Sequence, residues 1–202
     1  MIIKKFDNEE EWLVARNGKI TGTRLKDIIV LRGTNEKKAF YELIAERLAI
    51  NRPDGEDKMT RGHILEPEAV ELCEKEIKKT FNKDLVIWQR EDNESIAMSP
   101  DAFTEDLKEA IEVKCLNSAD HIKAVILGVY PEDYEYQIYQ YFIVNDKLKT
   151  LHFVMYDPSL SVHQYIRFEI KRKDIQEKID QLLEYEQKKL REINEIITKL
   201  SF

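Results

Sequence analysis

The chain has 202 residues, a length that suits one domain with a buried core and is short for two. With 43% hydrophobic and 35% charged residues, and no apolar run approaching the roughly 20 residues of a membrane span, the composition excludes a disordered or membrane-spanning chain. A net charge of −7 excludes a uniformly basic coat for a phosphate backbone, but leaves room for carboxylates that hold a divalent cation beside a local basic groove.

The start, MIIKKFDNEEEW, has no apolar stretch behind its lysines, so it does not read as a secretory signal and the cytoplasm is the expected location. No internal repeat or flexible linker divides the chain, so a single domain over 1–202 is expected, with its core at about residues 12–170. Residues 37–50 carry Phe40, Leu43, Ile44 and Leu48 on one helical stripe. The segment Asn51 to Lys58, with a Pro, a Gly and five charges, reads as a loop. A second helix then runs from Glu66 to Lys78 through Ala69, Val70, Cys73 and Ile77. The two cysteines of the chain, Cys73 and Cys115, lack CxxC spacing and read as buried free thiols.

Short apolar runs at 85–88, 96–98 and 110–115 predict neighbouring strands. Residues 131–144 are compatible with a helix, and 150–156 alternate as a strand does. From Lys173 to Leu200 no Gly or Pro interrupts a helical spacing of Ile and Leu, which predicts a long amphipathic helix. The expected fold class is therefore α/β, a central mixed sheet flanked by helices.

The chemistry concentrates in Ser99-Pro100-Asp101 and, after ten intervening residues, Glu112-Val113-Lys114. On a strand, Glu112 and Lys114 leave the same face and Val113 the other. Asp101 and Glu112 supply hard oxygen ligands for Mg²⁺, with Mn²⁺ as a substitute, and the Val113 carbonyl is placed to add another. Lys114 is then available to orient or deprotonate a water and to offset charge on phosphorus. The four histidines show no ligand spacing such as HExxH.

Five motifs in order, from about Trp12 to Pro158, resemble the phage-type alkaline exonucleases, or viral recombinase nucleases, related to bacteriophage lambda exonuclease and built on the PD-(D/E)XK fold. They are the segment Arg16 to Thr23, Arg61 to Ala69, Ser99-Pro100-Asp101, Glu112-Val113-Lys114, and Tyr134-x-x-Gln137-x-x-x-Tyr141. The resemblance implies that Glu66 is a further acid near the metal. By itself, an acid ahead of Pro67 equally suits a helix start and its dipole, with Glu68 turned to solvent.

The resemblance also makes Gln137 the active-site glutamine, with Gln140, three residues on, as its rival. Arg16, Thr23 and Ser99 match a pocket for a 5′-phosphate, whose charge and oxygens suit an Arg fork and hydroxyl donors. Taken alone, Arg16 is a surface charge and Thr23 part of the N-terminal cap of a helix at Leu25 to Leu31. Arg32, Lys37 and Lys38 correspond to basic residues that face DNA, and Met59 to an apolar wedge between strands; a solvated helix start and a core methionine are the alternatives.

The function implied is Mg²⁺-dependent digestion of one strand of double-stranded DNA from a 5′-phosphorylated end, leaving 3′ overhangs for recombination. A trimer and a single-strand annealing protein as partner are implied with it. An endonuclease or repair nuclease of other polarity, and a catalytically silent DNA-binding module, are the alternatives.

Overall fold

The computed structural model describes residues 1–30, 37, 39–40, 43 and 60–200, with side chains described throughout except at 60–63. Its strands form two sheets. The first is antiparallel, with β1 (Ile2–Lys5), β2 (Val86–Gln89) and β3 (Ala97–Met98) in the order β1-β2-β3. The second contains β4 (Ala102–Phe103), β5 (Glu109–Lys114), β6 (Thr150–Tyr156) and β7 (Tyr165–Lys171) in chain order. Here β5 and β6 run parallel while β4 and β7 pair antiparallel at the two sides.

A parallel pair needs a crossover. It is supplied by α4 (Ser118–Leu127), a 3₁₀ turn at Glu132–Tyr134 and α5 (Glu135–Val144). The remaining helices are α1 (Glu9–Arg16), α2 (Gly22–Ile28), α3 (Thr60–Ile77) and α6 (Arg172–Leu200). No helix among the described residues is long and apolar enough to cross a membrane.

Strand β5 is covered on both faces, and its period of two sorts the residues between them. Ile111 and Val113 pack with Ala69, Val70 and Cys73 of α3. Ala110 joins the larger core of α5 and α6, and Glu112 meets α5. The buried positions of α6, Ile179, Leu182, Glu186, Leu190 and Ile193, recur every three or four residues, which makes one stripe against the core.

Several elements differ from the sequence expectation. Helix α3 starts at Thr60, six residues before Glu66, and carries Pro67 inside it, where the ring removes one intrahelical hydrogen bond. Helix α2 occupies 22–28 rather than 25–31, and 131–144 divides into the 3₁₀ turn and α5. Strands β1, β4 and β7 and helices α1 and α4 lie outside the sequence expectation. Helix α4 has sharp ends: the Asn117 side chain accepts from the Asp120 N–H at its start, and Gly128, at φ 66°, closes it in the left-handed region. The cysteines carry no disulfide; Cys73 is buried and Cys115 half-buried. Of the expected helix at 37–50, only residues 39, 40 and 43 are described, as helical; the Asn51–Lys58 loop lies outside the described residues.

Candidate active site

Strand β5 ends in Glu112 and Lys114 on its α5 face, and the short segment between β3 and β4 brings Asp101 against it. The Asp101 carboxylate accepts the Val113 N–H at 2.7 Å, which locks that segment onto the strand. Glu112 is only 2% exposed. A buried carboxylate needs partners, and among the described residues Glu112 has three. Lys114 Nζ and Gln137 Nε2 both donate to Oε1, the latter at 2.5 Å, and the Tyr141 hydroxyl donates to Oε2.

The electrostatics follow from crowding like charges in a dry place. Burial, then repulsion by Glu112 and by Glu66, pushes Asp101 well above the usual carboxylate range, against the pull of Lys114 and the Val113 N–H. Burial works against the Lys114 ammonium, but Glu112 and Asp101 outweigh it and hold the group above the ordinary lysine value. Its ammonium also sits over the Tyr134 ring, 5.3 Å from the centroid. Burial, Glu112 and Asp101 together push the Tyr141 phenol far up, so it stays a donor.

Acids that repel each other in a buried cluster are what a divalent cation relieves. Asp101, Glu112, the Val113 carbonyl and Glu66 fit such an ion by donor chemistry, since all offer hard oxygens. Among the described residues, no group of three His, Cys, Asp or Glu already stands at metal-holding spacing. The placement of Glu66 inside α3 removes the helix-start explanation for an acid at that position. Glu68, exposed, hydrogen-bonds Tyr156.

Around this cluster the structure separates the remaining candidates. Arg16, the last residue of α1, lays its guanidinium over the Trp12 ring at 4.2 Å, within electrostatic reach of Glu112 and Asp101. The Ser99 hydroxyl is buried with no hydrogen-bond partner among the described residues. Thr23 is exposed on α2 and lines a cleft of about 290 Å³ with Gly22, Tyr134 and Gln137. The cap at Thr21 makes no side-chain hydrogen bond. Gly22 is required by close approach: a Cβ there would stand 2.6 Å from Met98 Sδ and 2.9 Å from Gln137 Cγ.

Gln140 departs from the expectation that it contacts substrate. It is fully buried, and its amide donates to the carbonyls of Ile20 and Ala97 at 3.2 and 3.4 Å and to Glu186 at 2.9 Å. Nothing of it faces the cleft. Arg32, Lys38 and Met59 lie outside the described residues, and Lys37 is exposed with its ammonium on the Lys26 carbonyl at 3.4 Å. Tyr134 and Tyr141, which frame Gln137 in the sequence, belong to the site themselves: Tyr141 donates to Glu112 and the Tyr134 ring lies under the Lys114 ammonium. Spacing was the available signal for more, since residues four apart on a helix share a face.

A mixed sheet flanked by helices, with an E-x-K strand facing an aspartate, is the core of the PD-(D/E)XK nuclease fold. Two crystal structures of the alkaline exonuclease LHK-Exo from Laribacter hongkongensis, one in complex with dAMP, superpose with a TM-score of 0.79 at 26% identity. They cover 95 and 96% of this chain and 96% of their own. A phage-related exonuclease from Haemophilus somnus 129PT shares the fold at 17% identity and a TM-score of 0.59, over 90% of this chain and 96% of that one. The YqaJ-like viral recombinase domain matches residues 11–148, and the chain belongs to that family. No curated protein matches it.

Proposed function

We propose that this protein is a metal-dependent deoxyribonuclease that digests one strand of duplex DNA from a 5′-phosphorylated end and leaves a 3′ overhang. One observation carries the reading: half-buried Asp101 and Lys114 stand in one cluster with buried Glu112, and Gln137 from a separate helix is anchored on the Glu112 carboxylate. The likeness to LHK-Exo, crystallised with dAMP, supports DNA as the substrate class.

Asp101, Glu112, the Val113 carbonyl and Glu66 would hold Mg²⁺, or Mn²⁺ in its place. Such an ion lowers the pKa of water and offsets charge on a phosphate. The chain's own groups do the rest. Lys114 orients the attacking water and counters the charge that develops on phosphorus. Gln137, fixed at Glu112 and lining the cleft, holds the scissile phosphate or the water against the cluster. Arg16, stacked on Trp12, and the Ser99 hydroxyl, buried with no hydrogen-bond partner among the described residues, take the terminal 5′-phosphate, with Thr23 at the mouth of the cleft. A trimer enclosing DNA and an annealing protein that receives the overhang extend this reading.

The test compares linear duplexes bearing 5′-phosphate or 5′-hydroxyl ends with a covalently closed circle, in Mg²⁺ or EDTA, with Lys114→Ala as control. Mg²⁺-dependent loss of the phosphorylated linear DNA, abolished by the substitution, is the expected result. Cutting of the circle makes the protein an endonuclease, and no cutting in any arm makes it a binding module.

A further inference from the structure

Glu112 has room for about four hydrogen-bond or metal contacts, two per carboxylate oxygen. Three are taken: Lys114 and Gln137 on Oε1 and Tyr141 on Oε2. Lys114 belongs to the same strand as Glu112, whereas Gln137 and Tyr141 come from α5, one helical turn apart and on one face. A single helix therefore grips both oxygens of one carboxylate and stops its rotation.

The Tyr141 side chain is itself immobile. It is fully buried, with its ring edge-on to Trp88 at 6.3 Å, and the start of the loop after α5 is tied to its carbonyl by the Asn145 N–H at 3.1 Å. We propose that Tyr141 is a positioning residue for the metal-binding carboxylate: its hydroxyl occupies one side of Glu112 Oε2 and leaves that oxygen a single direction in which to ligate a divalent cation. The inference rests on the reading of Glu112 as a metal ligand. It adds a determinant of metal affinity and geometry that touches neither DNA nor the cation.

A matched control lies on the same helix. Tyr139 also donates its hydroxyl to a carboxylate, Glu135 at 2.5 Å, but away from the cluster. Tyr141→Phe deletes a buried phenol–carboxylate hydrogen bond and Tyr139→Phe a part-buried one, and each keeps the ring.

Mn²⁺ binding to the full chain, followed by electron paramagnetic resonance without DNA, is expected to weaken about tenfold or more in Tyr141→Phe, the cost usual for loss of a group that orients a ligand. In Tyr139→Phe it should match the wild type. The Mn²⁺ concentration for half-maximal nuclease activity should rise by the same factor in Tyr141→Phe, with activity largely restored at saturating metal. Equal Mn²⁺ affinity in the wild type and both variants overturns the positioning role and leaves the nuclease reading standing. A wild type that binds no Mn²⁺ removes the metal reading and this inference with it. If Tyr141→Phe does not fold, 3-fluorotyrosine placed at 141 or 139 gives a second measurement by fluorine resonance: a shift on adding Mg²⁺ at 141 alone supports the proposal, and no shift at 141 overturns it.

Discussion

Two carboxylates are buried against the same helix, and α5 reaches each with a glutamine. Gln137 holds Glu112 and Gln140 holds Glu186. Glu112 is met by an ammonium, an amide and a phenol, so both its oxygens have donors. Glu186, in the apolar stripe of α6, is met by one amide. Its second oxygen and the Gln140 carbonyl oxygen have no partner among the described residues. Burial pushes Glu186 up to about 8, opposed by Gln140 and by the distant charge of Arg90. Burial is common to both, but the donors differ: three groups meet Glu112, whereas Glu186, met by one amide, is a neutral acid at neutral pH.

The sharpest way to break this contrast is at the lysine. Lys114→Ala should lower the single-turnover rate about 10²- to 10⁴-fold, a span typical of a proton-handling or charge-stabilising side chain, with the far-ultraviolet circular dichroism unchanged. A rate within threefold of the wild type would remove Lys114 from the chemistry.

The two glutamines provide the next test. Gln137→Ala should cost about 10- to 100-fold in rate with little change in Tm. Gln140→Ala should do the reverse. Leaving Glu186 and two carbonyls short of a donor costs about 1–3 kcal/mol, and each kcal/mol lowers Tm by about 2–4 °C in a chain of this size. Exchanged phenotypes would reassign the active-site glutamine.

Glu186 then sharpens the comparison through pH. Its folded value lies above the ordinary 4.5, so the native state holds the proton more tightly than the unfolded chain. The stability it contributes is whole below 4.5 and is lost as pH rises through about 8. Glu186→Gln should therefore flatten the alkaline fall of Tm and leave the protein more stable than the wild type above pH 8, measured by scanning calorimetry.

A smaller effect of opposite sign is expected at His152, on β6. Its Nδ1 faces an Arg167 N–H at 3.0 Å and its Nε2 faces Glu109 at 3.1 Å, which favours the neutral ring with the proton on Nε2. Burial lowers its pKa below the ordinary 6.5, so its contribution is present above 6.5 and declines as pH falls below it. Nitrogen-15 spectra should show the Nε2–H tautomer at neutral pH, and His152→Asn should reduce the acid-side loss of Tm.

The strand geometry of the Glu112–Lys114 segment is legible in the sequence. Period two along a strand is enough to put Glu112 and Lys114 on one face and Val113 on the other, because alternation is a property of the backbone. The long C-terminal helix was equally legible from its apolar spacing. Its buried stripe includes Glu186, which pattern alone assigns to solvent. Helix α4 had readable ends in Asn117 and Gly128, but its ten residues include exposed Ile126 and Leu127, which blur the amphipathic signal. Strand β7 lies at a sheet edge and alternates weakly, with Arg167 and Glu169 among its apolar residues.

What the sequence determined by itself was whatever local geometry decides: which side chains share a strand face, where apolar residues make a helical stripe, and which residue types can ligate a hard cation. What only the tertiary structure decided was the identity of each neighbour. Gln137 and Gln140 lie three residues apart with the same chemistry. One meets Glu112 on β5 and the other Glu186 on α6, because α5 is wedged between the sheet and the long helix and turns a different part of its surface to each. Glu66 came within range of Asp101 only because α3 runs on through Pro67 and lies across β5. Partners brought together from distant parts of the chain cannot be read from local spacing, because only packing sets which donors reach each buried acid.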